Sequence, residues 1–298
     1  MRITENFLNK RTLGDLQGVL RKYSDLNSQL TTGKKVRYPS DNAAIASRVS
    51  NLDSRLREIE RYQSNIETAQ NYANMYDSSI QELNSVFLRI KELAVRGAND
   101  SLSEVDRKAI ATELEKINTH LVSIANTEIS GNYIYGGATN NQKVVGIDEN
   151  GEFKILVPPQ ANIKQKISVG GQDIEYGKTV YDVFVTDSGA SVFGIVDRLS
   201  KAIDSGDNSL IQKELGNIDE IQSKALKAIS DVGATQRIFE LTSSRMKDFN
   251  TFSTDFLSKE SDADMAQVVM ELAMQQNVLQ AALKAAGNII PPTLADYL

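Results

Sequence analysis

Residues 265–290 read MAQVVMELAMQQNVLQAALKAAGNII. Within them Met265, Val269, Leu272, Gln276, Leu279, Leu283, Ala286 and Ile290 recur at alternating steps of four and three. Leu13, Leu16, Leu20, Tyr23, Asn27 and Leu30 repeat that rhythm at the other end of the chain. A repeat averaging 3.5 residues is the one by which a helix lays a continuous stripe against another helix. Neither stripe has the apolar area to stand alone. Full burial of a large aliphatic side chain returns about 1.5–3 kcal/mol, while ordering each backbone residue costs about 1–2 kcal/mol. With Gln276 and Asn27 inside the stripes, the two terms nearly balance. The ends are therefore expected to form an assembly seam that orders on association. Its apolar members are Leu13, Leu16, Leu20, Tyr23, Leu30, Met265, Val269, Leu272, Leu279, Leu283 and Ile290. Periodicity leaves open whether the ends pair within one molecule or between molecules. The plainer alternative is an amphipathic helix packed on its own core.

Inward from the N-terminal stripe, Thr31-Thr32-Gly33 is a helix stop and Pro39 pushes Tyr38 out of helical geometry. Lys34, Lys35 and Arg37 read as solvated loop, and Ser40-Asp41-Asn42 offers N-caps for the next helix. That helix carries Ile45, Val49, Leu52, Leu56 and Ile59. After a slip near Tyr62 it continues through Ile66, Ala69, Ala73, Tyr76, Ile80, Leu83, Phe87, Ile90 and Ala94 to a stop at Gly97. Fifty-odd residues at about 1.5 Å each make a helix on the order of 80 Å long. Ser103 and Asp106 resemble a capping box with the shorter acid. They open a third helix through Ile110, Leu114, Ile117, Leu121 and Ile124. Strand-like runs follow at 144–145, 153–157, 163–169 and 181–185, separated by turns at Asn150-Gly151, Pro158-Pro159 and Gly170-Gly171. Helix resumes near Ser191. A second long helix then carries Ile211, Leu215, Ile218, Gln222, Ala225, Ile229, Val232, Gln236 and Phe239, with Gly233 marking a close helix contact or a weak point.

The expected fold is mainly α: a long antiparallel helical bundle or coiled coil with a small β-rich insertion. By role it divides into a terminal coiled-coil assembly region (1–40 and 258–298), a helical rod (41–131 and 191–257) and an outer β-rich insertion (132–190). A chain of 298 residues with 6% aromatics, no tryptophan and no cysteine suits long helices better than a pocket. The absence of cysteine removes disulfides and thiolate chemistry, which suits a protein exported unfolded. The net charge of −6 gives no electrostatic case for nucleic acid. No segment has the apolar length of a membrane span, and the first residues lack the apolar core of a cleaved signal.

No acid–base constellation emerges. His120 is the only histidine, so a triad or a two-histidine metal site lacks parts, and it reads as a surface residue. Asp262-Ala263-Asp264 is more simply the acidic start of the C-terminal helix than a metal site. Asp148-Glu149-Asn150-Gly151 lacks the spaced ligands of a calcium loop, and Gly136-Gly137 lacks the strand–helix context of a phosphate cradle. No catalytic, cofactor or metal residue is assigned, and no enzymatic activity is expected.

Several motifs resemble one family. Leu30-Thr31-Thr32-Gly33-Lys34-Lys35-Val36-Arg37-Tyr38-Pro39-Ser40-Asp41-Asn42-Ala43-Ala44 is similar to the N-terminal signature of bacterial flagellins and their junction relatives. Asp231-Val232-Gly233-Ala234-Thr235-Gln236-Arg237-Ile238-Phe239-Glu240 resembles the family's C-terminal helix motif, and Asp262-Ala263-Asp264-Met265-Ala266 the start of its terminal coil. Gly131-Asn132-Tyr133-Ile134-Tyr135-Gly136-Gly137-Ala138-Thr139 and the ending Thr293-Leu294-Ala295-Asp296-Tyr297-Leu298 resemble the hook–filament junction subgroup. The resemblance covers both helical ends and leaves out the β insertion. It implies a flagellin-like fold and a non-enzymatic axial protein of the flagellum. Such a protein is exported through the flagellar type III channel without a cleaved signal and assembles outside the cell as a ring between hook and filament. The implied partners are the proximal hook-associated junction protein, flagellin, copies of itself and an export chaperone at the C-terminal region. The alternatives are a flagellin filament subunit and a non-flagellar coiled-coil scaffold or secreted protein.

Overall fold

The structure is a computed structural model describing residues 2–99, 102–148 and 151–289. Helices α1 (Arg2–Thr32), α2 (Ala43–Gly97) and α3 (Glu104–Ala125) precede the β-rich stretch. That stretch holds β1 (Glu128–Ile129), β2 (Asn132–Tyr133), β3 (Val145–Ile147), β4 (Phe153–Ile155), β5 (Lys166–Val169), β6 (Gln172–Glu175) and the one-turn helix α4 (Val180–Val183). Helices α5 (Val192–Ser205), α6 (Asn208–Ser261) and α7 (Met265–Ile289) complete the chain. Two compact units result: residues 1–59 with 248–298, and residues 60–247. The division falls inside α2 and α6.

In the larger unit the expected line on α2 is the core. Ile66, Ala69, Ala73, Tyr76, Ile80, Leu83, Phe87, Ile90 and Ala94 are all buried. Asn84 to Gln222 (2.9 Å), Asn74 to Gln236 (3.0 Å) and Lys91 to Asp219 (2.5 Å) set α6 antiparallel to α2. Helix α3 packs on α5, where Asn118 Nδ2 donates to the Phe193 carbonyl at 2.9 Å and Ser200 Oγ to the Ala111 carbonyl at 3.1 Å. Gly97 ends α2 where a Cβ would lie 2.8 Å from the Ile203 side chain.

The inner line of α6 departs from the sequence reading at alternate positions. It runs through Ile211, Glu214, Ile218, Ile221, Ala225, Ala228, Val232 and Phe239, in place of Leu215, Gln222 and Ile229. A four–three and a three–four rhythm share every second residue, so one small rotation converts one into the other. Glu214 is tolerated inside because Arg198 on α5 meets both its oxygens, Nε to Oε1 at 2.7 Å and Nη2 to Oε2 at 3.0 Å, and Asn217 adds a third bond at 2.8 Å. Gly233 is no close contact: nothing lies within 4 Å of where its Cβ would be.

The β-rich stretch is three separate antiparallel hairpins, β1–β2, β3–β4 and β5–β6. Gly170-Gly171 turns the last with both φ positive, as a two-residue primed turn requires. Ser130-Gly131 does the same for β1–β2, a hairpin that the sequence reading passed over as the end of α3. Asn126 caps α3 and supplies a missing strand edge. Its Oδ1 accepts from the Val144 and Val145 amides, and its Nδ2 donates to the Val145 carbonyl. Residues 181–185, expected as strand, begin in a helical turn, because Thr179 and Asp182 form a capping box over α4. Tyr135, Phe184 and Phe193 form an aromatic chain continuing to Tyr76, whose hydroxyl donates to the Ile134 carbonyl. Tyr135 donates to Ser79 Oγ at 2.9 Å, and burial raises both phenol pKa values. Gly137, at φ +57, passes so close to the Ala161 carbonyl that a Cβ would sit 2.3 Å from its oxygen. That close approach accounts for the Gly-Gly motif.

Candidate functional site

The candidate site lies in the unit that holds both ends of the chain. Helix α1 ends as its sequence directs. Gly33 takes the left-handed conformation at φ +69, and its amide donates to the Gln29 carbonyl at 2.8 Å. The loop then holds itself by Asp41, whose Oδ2 accepts from the Arg37 and Tyr38 amides, and Asn42 caps α2 through the Ile45 amide. At the other chain reversal Asp264 Oδ1 accepts from the Ala266 and Gln267 amides and caps α7.

These two reversals are clasped together. Lys34 and Asp262 form an antiparallel bridge, flanked by Lys35 N to Ser261 O at 2.7 Å and Ala263 N to Gly33 O at 2.8 Å. Lys34 Nζ lies 2.7 Å from Asp262 Oδ1, Lys35 Nζ donates to the Lys259 carbonyl, and Arg48 reaches Glu260 at 2.8 Å. Lys34 foremost, then Ser258 and Ser261, hold the Asp262 carboxyl well below the usual carboxylate range. Lys34 and Lys35 are thus exposed but engaged, not the idle loop cations that the sequence suggested. Their partners lie more than 200 residues away, so no local signal marks them.

From this clasp α1 and α7 run antiparallel, with Gln275 Nε2 donating to the Val19 carbonyl at 3.2 Å. The inward lines are Leu16, Val19, Tyr23, Leu26 and Leu30 on α1, and Val268, Leu272, Gln275, Leu279, Ala282 and Ala286 on α7. Of the residues singled out from the sequence, Leu16, Tyr23, Leu30, Leu272 and Leu279 lie on these lines. Leu13, Leu20, Met265, Val269 and Leu283 lie beside them, in water; Ile290 is outside the described residues. The contrast between neighbours is sharp. Leu26 and Val268 are 6% and 5% exposed, whereas Leu13 and Val269 are 55% and 52% exposed. Gln275, which the sequence reading left out of the stripe, is the buried polar residue, and Gln276 is exposed.

Leu13, Leu20 and Asn27 each follow an inward position of α1 by one residue, as Val269, Gln276 and Leu283 do on α7. One residue is a turn of about 100° around a helix axis. Because the helices are antiparallel, that rotation brings both rows to the same side of the pair. Helix α7 has only Glu271 and Lys284 as charges and is apolar nearly all round, including exposed Met270, Met274 and Val278. A helix of that kind belongs in an interior. Exposed Phe249, Phe252 and Phe256 on the last turns of α6 extend the apolar surface of this unit. The arrangement can adhere. His120, in the other unit, sits half exposed with Nε2 3.1 Å from Glu82. No described helix is long and apolar enough to cross a membrane.

Comparison with known proteins bears on this site. The model of the bacterial flagellin N-terminal helical region matches residues 3–139. The flagellar hook-associated protein 3 of Salmonella typhimurium is 23% identical over 304 residues, covering 95% of each chain. A flagellar filament 33 kDa core protein of Treponema phagedenis is also 23% identical, covering 94% of this chain and 92% of its own. The crystal structure of flagellar hook-associated protein-3 from Legionella pneumophila matches with a TM-score of 0.64 at 16% identity, covering 71% of this chain and 98% of that one. At that identity the structural likeness is one of fold. Over nearly its whole length the chain is thus similar to hook-associated protein 3 and to a flagellar filament core protein, and over residues 3–139 it matches the flagellin N-terminal helical region.

Proposed function

We propose that this protein is a structural, non-enzymatic axial component of the bacterial flagellum, forming the junction between hook and filament. The observation that carries the reading is the terminal helix pair, whose apolar flank stays in water on a chain that is similar to a hook-associated protein over 95% of its length. A surface of that kind is completed by neighbours. The seam of Leu13, Leu16, Leu20, Tyr23, Leu30, Met265, Val269, Leu272, Leu279, Leu283 and Ile290 is the assembly element. The protein works outside the cell, in the flagellum, after export without a cleaved signal. It assembles as a ring and contacts the proximal hook-associated protein on one side and flagellin on the other. An export chaperone holds the apolar C-terminal region beforehand.

The test is limited proteolysis with mass mapping, on dilute protein and again with hook and flagellin fragments. Residues before about 39 and after about 262 are expected to be cut in the free protein and protected in the mixture. Cleavage unchanged on mixing overturns the reading. Long filaments formed by the pure protein would favour a filament subunit instead, a possibility that the Treponema relative keeps in view. Leu279→Asp places a charge on the inward line of α7. It should leave residues 60–247 folded, by circular dichroism and protease resistance, yet abolish joining of hook to filament.

A further inference from the structure

Between α3, α5 and the β3–β4 hairpin, within the unit of residues 60–247, lies an open cavity of about 350 Å³. That is the lower end of the ~300–1,000 Å³ range of small-molecule sites. Leu114, Phe193 and Val196, all buried, form apolar walls. The polar lining is one-sided. The Thr119 hydroxyl donates its proton to the Glu115 carbonyl at 3.1 Å, and the Ser200 hydroxyl to the Ala111 carbonyl at 3.1 Å, which leaves both with lone pairs only. Asn118, 4% exposed, donates from Nδ2 to the Phe193 carbonyl at 2.9 Å, while its buried Oδ1 has no partner among the described residues. The Glu115 and Glu152 carboxylates, both exposed, likewise have no hydrogen bond or ion pair among the described residues. Of the described lining residues only Lys201 is a cation, and its Nζ is tied to Asp197 at 2.7 Å. Three acids, Glu115, Glu152 and Asp197, against one base give the lining a net charge of −2.

We propose that this cavity binds an organic cation, a primary ammonium or guanidinium on an apolar stem. Both groups donate hydrogen bonds and accept none, so they match a lining whose uncommitted side-chain atoms are acceptors. A buried acceptor such as Asn118 Oδ1 is costly to leave unmet, and the carboxylates add charge-assisted bonds at the mouth. The apolar walls give the stem a place that a hydrated metal ion would leave unused. An anion meets the wrong charge, and a neutral alcohol brings a single donor. The inference is independent of the proposed function, because the cavity and the terminal helix pair belong to different units.

The experiment titrates the full chain, isotopically labelled in nitrogen, with n-butylguanidinium and n-butylammonium, and with n-butanol and butyrate at the same ionic strength. Both cations are expected to shift the Asn118 side-chain amide and the backbone amides of 114–119 and 193–201 saturably, with dissociation constants on the order of millimolar. The alcohol and the anion are expected to leave these signals in place. Glu115→Gln/Glu152→Gln should weaken the cations about fivefold. Both positions are exposed, so the fold is kept, as unchanged amide shifts elsewhere will verify. Glu67→Gln/Glu240→Gln, which removes two exposed acids outside the lining, should leave the affinity unaltered. Equal shifts with n-butanol, equal affinity in the two variants, or calcium binding more tightly than either cation overturns the assignment. A capped Gly-Arg-Gly peptide identifies the source. Binding tighter than n-butylguanidinium assigns the site to a side chain of another protein, and weaker binding assigns it to a free small cation; both support the ligand class.

Discussion

The Glu214 carboxylate offers a quantitative test of how the larger unit is held. Its side chain is 2% exposed, and its charge is matched by Arg198, itself 44% exposed. Arg198→Met removes both guanidinium bonds and leaves a buried carboxylate with Asn217 alone. Removing one partner of a buried pair costs about 3–5 kcal/mol. Because water reaches the arginine side, the low end applies, about 3 kcal/mol at pH 7. The pH dependence separates this from lost packing. In the unaltered chain burial raises the Glu214 pKa, but the bonds from Arg198 and Asn217 outweigh it and bring it below the ordinary 4.5. The ionised form therefore contributes stability above the unfolded value and loses it as pH falls through the lowered folded value. Without Arg198, burial dominates and the folded pKa rises above the unfolded one. The penalty is then present at pH 7 and relieved as the carboxyl takes up a proton toward pH 4. Urea unfolding followed by near-ultraviolet tyrosine dichroism at both pH values should show a loss of about 3 kcal/mol at pH 7 and less than half of it at pH 4. Arg198→Met/Glu214→Leu, which removes both charges, should fall within about 1 kcal/mol of the unaltered chain. An equal loss at both pH values, or a double variant worse than the single one, refutes the reasoning.

Four further outcomes follow from individual residues. Gly137→Ala, with its Cβ 2.3 Å from the Ala161 carbonyl and φ at +57, should cost at least about 2 kcal/mol in thermal unfolding. Gly170→Ala, at φ +60 but in open space, should cost only about 1 kcal/mol. Tyr76→Phe leaves the Ile134 carbonyl without its phenol donor and should cost about 1–2 kcal/mol, with faster amide exchange at the β1–β2 hairpin. Lys34→Met should raise the midpoint of the Asp262 carboxyl titration, followed by carbon NMR, toward the ordinary 3.8. The clasp's contribution is present above that value and lost as pH falls below it; being exposed, it is at most about 1 kcal/mol.

By itself the sequence determined the helices and their ends. The heptad rhythm, Gly33, Asn42 and the Ser103 cap depend on neighbours within a few residues, and the core line of α2 follows from the same local spacing. The motifs that resemble the flagellins are local in the same way. Tertiary structure alone decided which of two overlapping rhythms faces inward on α1, α6 and α7. The two share every second residue and differ by one small rotation, so the choice belongs to whatever packs opposite. Glu214 shows the reason most plainly. An acid does not belong in an apolar stripe until a guanidinium from another helix meets it. Lys34 and Asp262, Gln275 and Val19, and Gly137 and Ala161 are likewise pairs whose partners only the folded chain brings together. The exposed flanks of α7 were set apart for the same reason: α1 covered the line between them and left them in water.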